Sequence, residues 1–289
     1  MTDKTLNRTL WAIIVMFGVF SFLKATPVID AMPALKPILS ILVPALFAFL
    51  HGSRRLGWRL ILIFFLITFG VSWSLESLSI ASGFPFGHYH YTGNLGPKLG
   101  TVPLLIMPAY FSMCYVSWNI AHIVLDKFDN HADRLQRFAV PVVAAFIMVM
   151  WDMCMDPSRA TESQVWIWHQ GGSYFGVPFS NFMGWYLCVY LIFQIFALYL
   201  GRLRPTKEAR DNGDASREFW HLNTALYFAT FIEFVAFAWL GVDRPLTDGG
   251  GGVWSARAMY ETLGLVAIFT MGFVSCLAFI KVQNTERLQ

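Results

Sequence analysis

Long apolar stretches recur along the whole chain, at roughly 9–25, 37–51, 58–80, 102–125, 138–156, 179–200, 221–241 and 259–280. A helix of about 20 residues crosses a hydrocarbon core, and most of these stretches approach that length. The second is the weakest, because Pro37 and Pro44 interrupt it. Charged residues make up only 13% of the chain and hydrophobic ones 56%. A water-soluble fold has no interior large enough for that much apolar surface, whereas lipid solvates the outer faces of helices directly. The expectation is an all-α, polytopic transmembrane bundle of about eight spans, forming a single integral membrane domain over 1–289. Lys4 and Arg8 precede the first stretch with no convincing small-residue cleavage site behind it, so it reads as a retained span.

Loop charge predicts orientation. With the N-terminus in the cytoplasm, that side collects Lys4 and Arg8, Arg54, Arg55 and Arg59, Lys127, Arg134 and Arg137. It also collects Arg202, Arg204, Lys207, Arg210 and Arg217, then Lys281 and Arg287, giving 15 of the 21 Lys and Arg residues. Both termini are therefore expected to be cytoplasmic, in a multi-pass protein of the inner (cytoplasmic) membrane. The opposite side carries the segments 81–101, 157–178 and 242–258, rich in Gly, Pro and aromatics. Loops of that composition can fold back to line a cavity, and the functional mouth is expected there. The basic residues are dispersed, which gives no footprint for nucleic acid.

Acids inside a membrane are costly and usually functional. Glu76, Asp152, Asp156, Glu233 and Glu261 all map to the outer half of the bilayer in this topology. Asp152 and Asp156 are four apart, on one helix face. Two carboxyls so close in a low dielectric carry one negative charge more cheaply than two, which makes an acid–base pair. Asp156-Pro157 also reads simply as a helix stop. Glu76 and Asp152 are each followed by a Gly/Tyr loop and then by a Val-Pro pair, Val102-Pro103 and Val177-Pro178, a faint echo that marks either two helical hairpins of one plan or chance.

The loop 83–93 sets His88, Tyr89, His90 and Tyr91 between glycines, where imidazoles and phenols can relay protons or position water. The scattered histidines, His169 included, lack metal-ligand spacing, and no metal is expected. The four cysteines lie in apolar segments and read as packing residues. Trp166, Trp168 and Tyr174 occupy the second loop, and Asn181 and Trp185 follow it. Aromatic faces of this kind either form an interfacial belt or stabilise a nearby cation.

Gly83-x-Pro85-Phe86-Gly87-x-Tyr89-x-Tyr91, then Leu95-Gly96 and Val102-Pro103, resembles a signature of the membrane carotenoid-biosynthesis family. A second signature is Trp151-Asp152-x-x-x-Asp156-Pro157, then Trp166-x-Trp168, Gly172-x-Tyr174-x-Gly176-Val177-Pro178, Asn181 and Gly184-Trp185. The likeness is strongest over roughly 60–200. The best-understood members of that family are carotenoid hydratases of the bisanhydrobacterioruberin and γ-carotene hydratase type. The resemblance implies cofactor-independent hydration of the terminal double bond of an acyclic ψ-end carotenoid, C40 or C50, to a tertiary alcohol. It also implies membrane lipid as surroundings, and association with other carotenoid enzymes or pigment assemblies.

That chemistry needs a neutral carboxylic acid, aromatic faces around a tertiary cation, and one positioned water. Asp152 is the expected proton donor, with Asp156 or Glu76 as the paired base. His88, Tyr89, His90, Tyr91 and Tyr174 are expected to relay protons or hold water. Trp151, Trp166, Trp168, Trp185 and Phe86 are expected to flank the substrate, with Asn181 and Glu233 beside them. The competing expectations are a lycopene-cyclase-like or isomerase-like enzyme, which loses a proton where a hydratase gains water, a lipid or proton transporter, and a non-catalytic carotenoid-binding subunit.

Overall fold

One helical run in the chain is 48 residues long, and a single glycine decides its shape. The computed structural model describes residues 3–30, 35–128, 134–203 and 216–285. Helix α1 (Asp3–Leu23) and the short α2 (Pro27–Asp30) precede α3 (Leu35–Ser82). Within α3, Gly57 has φ 74° and ψ 159°, a conformation open almost only to glycine. Phe49 and Phe65 would stand ~24 Å apart along a straight helix, at ~1.5 Å per residue. Their ring centroids are 5.4 Å apart. The two arms on either side of Gly57 therefore fold back against each other as a helical hairpin, and they correspond to the second and third apolar stretches. Pro44 lies inside the first arm without ending it.

The remaining helices follow the apolar segments closely. They are α4 (Ile106–Val124), α5 (Arg134–Pro157), α6 (Phe179–Arg202), α7 (Arg217–Leu240), α8 (Ala256–Ala267) and α9 (Phe273–Asn284). A π-turn, Ser158–Glu162, continues α5, and another, Ile268–Gly272, joins α8 to α9 into one long helix. Among the described residues, six helices are long and apolar enough to cross a membrane, with the hairpin α3 and the joined α8–α9 each counted once. The protein is an all-α helical, multi-pass membrane protein.

Helix α4 differs from the rest. From Tyr110 to Ile123 every residue is buried, because α3, α5, α6, α7 and α9 surround it. A helix apolar on all sides belongs at the centre of a bundle. The outer helices instead expose large apolar side chains, such as Val15, Met16, Leu66, Phe146, Phe269 and Phe273. Lipid is the solvent that suits those faces. Cys114, Cys154 and Cys188 are buried in the packing between helices, and Cys276 is exposed.

Irregular segments close one end of the bundle. Strand β1 (Tyr89–Tyr91) pairs antiparallel with β4 (Trp166–Trp168), in the register Tyr89 to Trp168 and Tyr91 to Trp166. Two smaller ribbons join β2 (Lys98–Leu99) to β3 (Val102–Pro103) and β5 (Pro245–Thr247) to β6 (Val253–Ser255). Asp248 pins the glycine turn between β5 and β6, accepting from the backbone N–H of Gly250 at 2.8 Å and from Trp254 Nε1 at 2.7 Å. The basic residues Arg204, Lys207, Arg210 and Arg287, which contribute to the orientation expected from loop charge, lie outside the described residues.

Candidate functional site

The β1–β4 ribbon converts strand alternation into a chemical sorting device. Successive side chains of a strand point to opposite faces. Tyr89 and Tyr91 turn inward and are buried, while His88 and His90 turn outward and are exposed. Glu76 lies beneath the ribbon near the end of α3 and is only 3% exposed. It accepts hydrogen bonds from three phenols: Tyr91 at 2.8 Å, Tyr110 at 2.7 Å, and Tyr89. Burial, and then the Glu76 charge beside them, push the Tyr89 and Tyr91 hydroxyls well above the ordinary tyrosine range. Both remain proton-bearing donors at neutral pH.

The second hairpin repeats this plan. Asp156, in the last turn of α5, accepts from Trp166 Nε1 on the following strand at 2.8 Å. Asn181, in the first turn of α6, donates from Nδ2 to Asp156 and, at 3.4 Å, to Asp152 Oδ2. Asp152 is fully buried, and its Oδ1 has no hydrogen-bond partner among the described residues. In each hairpin, an acid at a helix end is held by an aromatic side chain of the strand that follows. The two strands then pair and bring the acids to one place.

That place is a cavity of about 510 Å³. Glu76 and Asp156 line it, with Tyr89, Tyr91 and Asn181. So do Phe86, Trp151, Trp166, Trp168 and Trp185, the aromatics expected around a substrate. Trp185 is the hub of this wall: it stacks on Tyr110 at 4.3 Å and meets Trp151 edge-on at 6.3 Å. Trp168 leans on Tyr89 at 4.7 Å.

Other expected residues fall elsewhere. Asp152 sits behind Asp156, outside the lining of the cavity. His88, which leads into β1, and His90, at its alternate position, are exposed and off the cavity, and His90 Nδ1 lies 2.9 Å from His169 Nε2 on the exposed side. Tyr174 also lies off the cavity, packed edge-on against Phe182, and its hydroxyl has no partner among the described residues. Glu261 is exposed and, among the described residues, pairs with Arg257 at 3.5 Å.

Glu233 lines the cavity, though not as a lone acid. It is held by Lys24, which is 3% exposed, and by Arg159 at 2.6 Å. Lys24 Nζ also donates to Ser40 Oγ at 3.4 Å. Three features were missed at the level of sequence: Tyr110, one of several polar groups scattered through an apolar stretch, and the cations Lys24 and Arg159, which read as ordinary loop charges. Among the described residues, no group of three or more His, Cys, Asp or Glu is arranged to hold a metal ion.

Residues 35–244 match the family described as "Carotenoid biosynthesis protein". A relative from Haloarcula japonica, named bisanhydrobacterioruberin hydratase, is 27% identical over 141 residues. The match covers 48% of this chain and 46% of that relative, so it spans about half the length of each. No solved structure matches.

Proposed function

The chain belongs to the carotenoid biosynthesis protein family, and on that premise we propose that it is a hydratase of an acyclic carotenoid end group. The observation that carries this reading is the pairing of two acids, Glu76 and Asp156, on one cavity walled by tryptophan and tyrosine faces. The end group of a C40 or C50 polyene enters that cavity, and the rest of the chain lies among the helices. The protein resides in the inner membrane with both termini cytoplasmic, its eight apolar segments crossing the bilayer.

The carboxyl pair Asp152 and Asp156 supplies the proton. Asp156 faces the cavity and delivers it. Asp152, whose Oδ1 has no donor among the described residues, is the neighbour that shares a single charge with it. The proton adds to the terminal alkene, whose π pair becomes the new C–H bond and leaves a tertiary cation. The faces of Trp185, Trp151 and Tyr110 surround that cation and stabilise it through their quadrupoles. Glu76, fixed by three phenol donors, provides a preorganised negative charge across the cavity. Water attacks the cation, its oxygen lone pair forms the C–O bond, and the proton it sheds returns to a carboxylate. Atoms balance as alkene plus water to tertiary alcohol, with neither cofactor nor metal in the sequence of steps.

The test is expression in a lycopene-accumulating bacterium grown in isotopically labelled water, with mass spectrometry of the extracted pigment. A product heavier by one labelled water supports the reading. An unchanged mass at a shifted retention time replaces it with cyclisation or isomerisation. Pigment unchanged in both respects, for lycopene, γ-carotene and an acyclic C50 carotenoid alike, removes it.

A further inference from the structure

Hydration inside a bilayer needs a reactant that the bilayer excludes. The protonation steps above use one end of the cavity and leave a second polar group of side chains unused: Lys24, Ser40, Arg159 and Glu233. They come from four places in the fold, the chain just after α1, the first arm of α3, the π-turn after α5, and α7. All four line the same cavity as Glu76 and Asp156.

Resting on the hydration reading above, we propose that this network is the water site of the reaction. An ordered water in a protein interior needs two to four polar partners. The network offers more than its internal bonds consume. The Lys24 ammonium carries three N–H donors, and Glu233 and Ser40 take two of them. The Arg159 guanidinium carries five, and Glu233 accepts from one of its nitrogens. Two cations on one carboxylate also leave an excess positive charge in an apolar surrounding, which attracts the oxygen end of water.

Position supports the same role. Arg159 is three residues from Asp156, one helical turn away, so the charged network adjoins the acid that delivers the proton. Arg159 is a partly exposed member of the group, with its side chain 19% accessible, as is Ser40. Asn94 and Ser163 line the cavity on the loop side, where the Asn94 side chain donates to the Ser163 carbonyl at 3.4 Å. Water thus has a polar path from the loops past Arg159 to Lys24 and Glu233. The aromatic faces of the lining offer a cation stabilisation without offering it a nucleophile.

The tertiary cation has two fates, and they separate this role from a structural one. With water in place, a C–O bond forms. Without it, a neighbouring C–H bond gives its electron pair back to the cation, its proton returns to the carboxylate, and alkene is regenerated. In heavy water the regenerated alkene carries deuterium. The experiment therefore compares alcohol formed with deuterium gained by recovered alkene, in membranes holding wild type, Lys24→Met, Arg159→Met or Ser40→Ala. Ser40→Ala removes a single hydroxyl and guards against variants that fail to fold.

The expected result is a fall in the ratio of alcohol to exchanged alkene, by roughly tenfold for Lys24→Met and Arg159→Met, the equivalent of one lost hydrogen bond to a charged group. Ser40→Ala shifts the ratio in the same direction by a smaller factor. An unchanged ratio overturns the water site, whether both products persist or fall together, and it leaves the hydratase reading standing. A wild type that makes no alcohol while exchanging deuterium removes the hydratase reading, and the water site with it.

Discussion

Tyr110 stacks on Trp185, ring centroids 4.3 Å apart and planes 3° from parallel, and the Tyr110 hydroxyl donates to Glu76 at 2.7 Å. One side chain of the central helix therefore sets both an acid and an aromatic face of the cavity. Substitution separates the two roles. Tyr110→Phe keeps the stack and removes one of three donors to a buried carboxylate, a loss of about 1.5–3 kcal/mol for a hydrogen bond to a charged group. Conversion is expected to fall about tenfold or more, a factor worth ~1.4 kcal/mol of barrier. Tyr110→Ala also opens a cavity and is expected to cost roughly 3–5 kcal/mol of stability. Turnover in membranes, read beside thermal unfolding in detergent, checks both. Full activity in Tyr110→Phe means that Tyr89 and Tyr91 alone hold Glu76.

Gly57 is the hinge of the α3 hairpin, and the space around it is empty: a Cβ added there meets nothing within 4 Å. Any cost of Gly57→Ala is therefore a backbone cost. At φ 74° and ψ 159° that cost is about 1–3 kcal/mol. Gly70 sits in the second arm of the same hairpin with equally open surroundings. Gly70→Ala, at a helical position, is expected to be neutral or stabilising by ~0.5–1 kcal/mol. Melting temperatures of the two purified variants should move in opposite directions or differ by several degrees. Equal melting temperatures would show that the hairpin does not depend on the glycine conformation.

Much of this architecture was legible in the residues, because helix length and apolar content are local properties. The helices coincide with the apolar stretches, and even the weak stretch broken by Pro37 and Pro44 is helical. The echo between the two hairpins rested on Asp152 as the second acid, whereas in the structure the strand that follows holds Asp156, and the pairing of β1 with β4 had no sign in the residues. What was hidden depends on direction and on distant partners. His88 and His90 looked equivalent to Tyr89 and Tyr91 until a strand separated odd from even positions. Asp152 and Asp156 share a helix face, yet the later residue lies about 6 Å further along the axis, and only it reaches the cavity. Lys24 and Arg159 counted as loop charges, since nothing local reveals that α7 brings Glu233 between them.

The outward histidines give a direct test of strand alternation. His88→Gln and His90→Gln change side chains that are exposed and off the cavity, so each is expected to leave conversion within about twofold, the range of ordinary surface substitutions. Tyr91→Phe, one residue from His90 on the opposite face, removes a donor to Glu76 and is expected to lose about tenfold. Loss of activity in either histidine variant, with Tyr91→Phe unaffected, would mean that the working face of β1 is the outer one.

The aspartate pair gives the sharpest contrast, since Asn181 bridges two groups that the proposed chemistry treats differently. Asp156→Asn replaces the cavity-facing carboxyl with an amide that cannot give up a proton to an alkene, so both alcohol formation and deuterium exchange into alkene are expected to disappear. Asp152→Asn leaves the delivering carboxyl in place and removes its charge-sharing neighbour. The reaction is then expected to slow by about tenfold, ~1.4 kcal/mol of barrier, without disappearing. Deuterium exchange into recovered alkene distinguishes this from simple damage: in Asp152→Asn it slows in step with alcohol formation while the amount of folded protein in the membranes stays unchanged. Abolition in Asp152→Asn with activity retained in Asp156→Asn would reverse the two roles and make the fully buried aspartate the donor, reached through a rearrangement of α5 that opens it to the cavity.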